Sequence, residues 1–278
     1  MYTQILSIVI CLTLTVSVSA APSRSEIGEA LQFTAGLFND DITVLGQYPS
    51  YVFIKTAALP RCGRAVVDES HIITLAQCVL DGNFRVYNPR LVEVIAGDLL
   101  WFPASATRRT RLASAIYVHP NCTAHTLEND IAVIRLQEPF KLPSNEIHPT
   151  IRRTRIVGID HVCESVGWGF EGGVSLQAAL QMIISDRDYC SFVRHLKTVA
   201  ESMVCADNLR PGQSICAGNI GMVLYCDGEA TGLLSFGMNC GAPNDPPTYM
   251  QIRYFNKWID QQLVRTDVPP IGLSPLDY

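Results

Sequence analysis

The chain has 278 residues and a net charge of -5, with apolar residues at 48% and charged residues at 17%. That balance excludes a disordered chain, which needs low hydrophobicity and high net charge, and argues against a nucleic-acid binder, which needs a basic surplus for phosphates. Ten cysteines with no Cys-x-x-Cys spacing point to disulfides in an oxidising compartment rather than to a zinc or dithiol redox site.

Residues 5–18 are apolar apart from small hydroxyl side chains, and Val18-Ser19-Ala20 has the small residues of a cleavage site. The run is short for a bilayer span and is expected to be a signal peptide over 1–20, with a short membrane anchor as the rival. No later run is long and apolar enough to span a membrane. Removing the signal removes Cys11 and leaves nine cysteines. A short polar leader is expected over 21–36, one domain over 37–265, and a loose Pro-containing tail over 266–278.

Short β-rich runs follow at 51–55, 71–75, 91–95 and 131–135, separated by turn residues. Strands of that length and spacing predict an antiparallel sandwich or barrel. Ser185-Asp-Arg-Asp188 reads as a helix N-cap leading into 189–199. Phe255, Trp258, Ile259 and Leu263 recur at helical spacing near the C-terminus.

Three surface features suit binding. Arg-Arg-Thr-Arg occurs at 108–111 and again at 152–155; these runs fit exosites for an acidic partner or processing sites, and a solvated face is the favoured reading. Trp101-Phe102 is either an exposed aromatic anchor or a packed loop. Asn121-Cys122-Thr123 is an N-glycosylation sequon on a predicted loop.

Eight segments in order resemble the chymotrypsin/trypsin-like serine protease family: Ile73-Thr-Leu-Ala-Gln-Cys78, Val118-His-Pro120, Asn129-Asp-Ile-Ala-Val-Ile-Arg-Leu136, Val166-Gly-Trp-Gly169, Met203-Val-Cys-Ala206, Cys216-Ala-Gly-Asn-Ile-Gly221, Ser235-Phe-Gly237 and Asn256-Lys-Trp-Ile259. The resemblance implies an all-β fold of two six-stranded antiparallel barrels with the site between them and a C-terminal helix. It also implies the bridges Cys62–Cys78, Cys163–Cys226, Cys190–Cys205 and Cys216–Cys240, each contributing about 2–4 kcal/mol. Cys122 is left over, and an odd thiol suggests a bridge to a second chain; a buried thiol is the alternative.

The family's chemistry needs a hydroxyl nucleophile, an imidazole base and a buried carboxylate. On this resemblance the base position is Gln77, the nucleophile position is Ile220, and only the carboxylate survives, as Asp130. An amide does not titrate in water and isoleucine carries no nucleophilic atom. Gly218 stands at the oxyanion-hole position, where half a hole without a nucleophile catalyses little. Neither His71 nor His119 is placed to replace the base. Asn219 stands where the family has the aspartate that pairs with a newly freed N-terminus, and no basic residue precedes 37–39 to release one. Arg155-Ile156-Val157-Gly158 imitates that activation motif but falls in the connection between the barrels. Ser214, Ser235, Gly237 and Pro247 take the specificity-pocket positions, with Pro247 near the entrance and no charge at the floor. Asp98 is the lone carboxylate of its loop, so neither metal nor cofactor is expected.

The reading is a secreted, catalytically inactive serine protease homologue that acts by protein binding, as cofactor or regulator of an extracellular protease system in an immune or reproductive fluid, with an active serine protease as one expected partner. The alternatives are an active serine-type endopeptidase with a rearranged site, and a structural glycoprotein crosslinked through Cys122.

Overall fold

The computed structural model describes residues 43–56, 62–100, 103–123, 126–142, 144–168, 177–194, 199–210, 215, 220–237, 245–270 and 272. The expected signal peptide and leader, Trp101-Phe102, Ser214, Cys216, Gly218, Asn219 and Cys240 lie outside them.

Six strands close the first barrel: β1 (Tyr51–Lys55), β2 (Cys62–Val66), β3 (His71–Thr74), β4 (Glu93–Ala96), β5 (Arg109–Val118) and β6 (Ala132–Leu136), in the spatial order β1-β2-β3-β6-β5-β4. Six more close the second: β7 (Val162–Trp168), β8 (Gln177–Ile184), β9 (Met203–Asn208), β10 (Val223–Cys226), β11 (Glu229–Phe236) and β12 (Thr248–Gln251), in the order β10-β11-β12-β9-β8-β7. Every strand pair is antiparallel. Among the described strands closure leaves no edge unpaired, one of the ways in which all-β proteins avoid edge-to-edge association.

The alternation of side chains along each strand explains the apolar runs in the sequence. In β1, Val52 and Ile54 fill the interior of the first barrel, while Tyr51 and Phe53 point the other way into the core shared with the second barrel. A strand buried on both faces reads as continuous apolar sequence, not as alternation. The second barrel has its own interior around Leu180, Met182, Leu224, Leu234 and Tyr249. Trp168 stacks between Tyr51 and Phe53, with ring centroids 4.8 Å from each.

Helix α1 (Arg187–Arg194) is capped by Asp186, whose carboxylate accepts the Tyr189 N–H at 2.9 Å. The expected cap, Ser185, instead donates to Asp207 at 2.7 Å. Helix α2 (Ile252–Leu263) buries Ile252, Phe255 and Ile259 in the core between the barrels, as the helical spacing predicts. Beyond α2 the described part of the chain contacts the first barrel. Tyr117 Oη donates to Asp267 O at 2.7 Å, the Arg265 guanidinium lies 4.5 Å from the centre of the Tyr117 ring, and Gly272 N–H donates to Val86 O.

Three disulfides match the expected pairing: Cys62–Cys78 within the first barrel, and Cys163–Cys226 and Cys190–Cys205 within the second. Among the described residues, no helix is long and apolar enough to cross a membrane.

Candidate functional site

Two contacts across the seam between the barrels define the site. The first is built on Asp130, which is fully buried just before β6. Its Oδ1 accepts the Gln77 main-chain N–H at 2.9 Å, and its Oδ2 accepts the Gln77 side-chain amide at 2.5 Å and the Ser235 hydroxyl at 2.6 Å. The Gln77 amide also donates to Ser235 O at 3.1 Å. Gln77 lies on a single 3-10 turn over Ala76–Cys78, and the Cys62–Cys78 bridge ties that turn to β2. Ser235 comes from β11, so the carboxylate joins the two barrels. Burial pushes the Asp130 carboxyl above its ordinary pKa, outweighing the donated hydrogen bonds.

The second contact runs through Ile220, whose carbonyl accepts the Gly63 N–H from β2 at 2.9 Å. Its partly buried side chain packs on the shared core. The backbones meet so closely that a Cβ on Gly221, already at φ +80°, would sit 2.3 Å from Gly63 O. A Cβ on Gly63 would sit 2.1 Å from Tyr51 Oη. Both positions demand glycine.

Chemically, this arrangement holds a carboxylate, an amide, a hydroxyl and a hydrocarbon side chain. Among the described residues no imidazole touches Asp130. His71 pairs with Asp68 at 2.9 Å, and His119 packs on Phe255 and Trp258, where burial lowers its pKa. Neither imidazole hydrogen-bonds to a serine, threonine or cysteine side chain among the described residues. Gly237 is buried at φ +88°, and Pro247 is buried with its carbonyl accepting the Ala206 N–H at 3.0 Å.

Sequence reasoning missed Arg64. Its side chain lies in the interior next to Gly63 with no exposure, and Nη1 donates to Gly63 O at 2.9 Å. Its Nε and Nη2 have no hydrogen-bond partner among the described residues. Burial holds its pKa well below the ordinary value, against the pull of Tyr51 and Asp130.

Two expectations need correction. Cys122 is 4% exposed and packs among Ala76, Leu80, Val86 and Val118, so it has no access to a second chain. The buried-thiol alternative holds, and burial pushes the thiol up to about 12. The arginine runs are not a solvated face throughout. Arg153 is 6% exposed between Asp227 and Glu229, and Arg152 pairs with Asp260 at 2.6 Å. Arg108 pairs with Asp98 at 2.7 Å, and Asp98 also accepts the N–H groups of Leu100 and Ser105. Those donors, outweighing burial, hold its carboxyl below the usual range. Asn121 of the sequon is exposed, and no cluster of three metal-ligating side chains occurs among the described residues.

The trypsin family model matches residues 41–259. The chain belongs to the trypsin family. It is 25% identical to "Trypsin-1" of Salmo salar over 236 residues, covering 81% of this chain and 93% of that one. It is 25% identical to "Serine protease 1" of Rattus norvegicus, covering 85% and 95%, and 26% identical to "Kallikrein-1" of Mus musculus, covering 74% and 82%.

Proposed function

We propose that this chain is a secreted member of the trypsin family without peptidase activity, and that it acts by binding an extracellular protein. The observation that carries the reading is the pairing of Gln77 with Asp130, in the place where the family's imidazole would stand on its aspartate. Peptide hydrolysis by this family needs a base that takes a proton from the nucleophile and returns it to the leaving amine. The Gln77 amide does neither, and Ile220 at the nucleophile position has no hydroxyl to deprotonate. In a related mechanism, loss of the serine or the histidine alone costs on the order of a million-fold in turnover.

Three disulfides and the family membership support an extracellular location. The exposed Asn121 suits a glycan. The partner fitting this reading is an active serine protease or another protein of an immune or reproductive fluid, regulated by docking rather than by cleavage.

A fluorophosphonate probe tests the chemistry directly, because it phosphonylates an activated serine. Purified full-length protein is expected to remain unlabelled under conditions that label a trypsin to completion. Stoichiometric labelling abolished by replacing a single serine would overturn the proposal.

A further inference from the structure

The arginine run at 108–111 divides into two kinds of residue. Arg108 is neutralised by Asp98, and in the second run Arg152, Arg153 and Arg155 all face Asp260, Asp227 or Glu229. Arg109 and Arg111 have no carboxylate partner among the described residues. They sit two apart at the start of β5, on one face of the strand. Main-chain carbonyls hold both guanidinium groups: Arg109 Nη1 donates to Ala106 O at 3.0 Å and Arg108 O at 2.9 Å, while Arg111 donates to Pro139 O at 3.2 Å and Thr110 O at 2.9 Å.

Both arginines line a groove of about 360 Å³ with Lys141 and Glu146. The apolar part of its lining is Phe140 and Ile147, 2% and 3% exposed, and the Arg111 guanidinium lies 5.5 Å from the centre of the Phe140 ring. Three cations against one acid make a positive concavity on a chain whose net charge is -5.

We propose that this groove binds an acidic peptide segment of a partner protein, with the peptide's carboxylates on Arg109, Arg111 and Lys141. The carbonyl bonds fix the arginines before binding, which lowers the ordering cost of association. The guanidinium N–H groups left over match carboxylate geometry. The groove is short, has an apolar lining and carries Glu146. That shape and charge favour a peptide over a sulfated glycan, which needs an open track of cations. The proposal stands whether or not the chain cleaves peptides, since it concerns a different surface.

The test is fluorescence anisotropy of a fluorescein-labelled Glu-Glu-Phe-Glu-Glu peptide titrated with the full chain at low ionic strength, where the Debye length exceeds about 10 Å. Saturable binding is expected, weakening as salt rises and absent for the Gln-Gln-Phe-Gln-Gln peptide. The double variant Arg109→Gln, Arg111→Gln should bind at least about tenfold more weakly with an unchanged melting temperature. Arg155→Gln, which removes one charge elsewhere, should bind as the parent does. If the double variant melts early, the pair Arg109→Lys, Arg111→Lys replaces it and should bind more weakly than the parent but more tightly than Arg155→Gln carrying a reversed charge at Lys141→Glu. Three results would overturn the proposal: no saturable binding, binding unchanged by the double variant, or a heparin oligosaccharide bound through these residues while the peptide is not.

Discussion

Gln77 grips both oxygens of the buried Asp130 carboxylate, its main-chain N–H on Oδ1 at 2.9 Å and its side-chain amide on Oδ2 at 2.5 Å. An amide can only donate there and cannot carry a proton away. The carboxylate thereby keeps its architectural task, since Ser235 of the second barrel shares the same oxygen as the Gln77 side chain.

This relationship fixes a pH dependence. Burial raises the folded pKa of Asp130, so the native state binds its proton more tightly than the unfolded chain. Its favourable contribution is therefore complete below the unfolded value of about 4 and declines as pH rises through the folded pKa. The stability of the parent minus that of Asp130→Asn should fall with increasing pH above about 4, as measured by urea unfolding across a pH series. A difference that grows with pH would contradict this.

Asp98 should behave in the opposite sense. Its carboxyl is held low, so the stability it supplies is present above about 3.9 and is lost as pH falls through the lower folded pKa. Asp98→Ala leaves Arg108 without its carboxylate and is expected to cost about 3 kcal/mol at neutral pH. Chemical denaturation of the variant measures it, and a cost near zero would show that the pair contributes nothing.

Arg64 predicts a gain. Two nitrogens of this fully buried side chain have no hydrogen-bond partner among the described residues, and a buried unsatisfied donor costs about 1–3 kcal/mol. Arg64→Met keeps an unbranched apolar stem and removes the guanidinium. The variant should unfold at higher denaturant than the parent, and a lower midpoint would mean that Arg64 has a partner in solution.

The sequence carried the architecture further than it carried the interior. Strand spacing pointed to an antiparallel sandwich or barrel, the family resemblance implied two barrels, and cysteines in the family's slots placed the three bridges. Gln77 beside Cys78 located the amide that meets Asp130, because the disulfide forbids a slip in register. The burial of Arg64 and Arg153 was not legible, because nothing local marks an arginine as buried. Arg64 lies within β2, and the partners of Arg153 come from residues more than seventy positions away. The Ser235 hydroxyl was equally hidden as a donor to Asp130, 105 residues earlier. The destination of Cys122 depended on how the loop before β6 folds back over Ala76 and Leu80, which no spacing reveals.

That burial makes Cys122 unreactive. With its thiol pushed up to about 12, almost no thiolate is present at neutral pH. Native protein treated with iodoacetamide should stay unmodified at Cys122 while unfolded protein is alkylated, and non-reducing electrophoresis should show a monomer. Rapid native alkylation, or a dimer abolished by Cys122→Ser, would show that the loop opens.

The central claim is that the seam between the barrels holds no working nucleophile and base. Incubating the purified chain with a diverse peptide library and reading new termini by mass spectrometry tests it most directly. The account predicts no cleavage above a buffer blank, for the parent and for Asp130→Asn alike. Cleavage by the parent that disappears in Asp130→Asn would contradict it, because Asp130 would then be orienting a base that Gln77 cannot be.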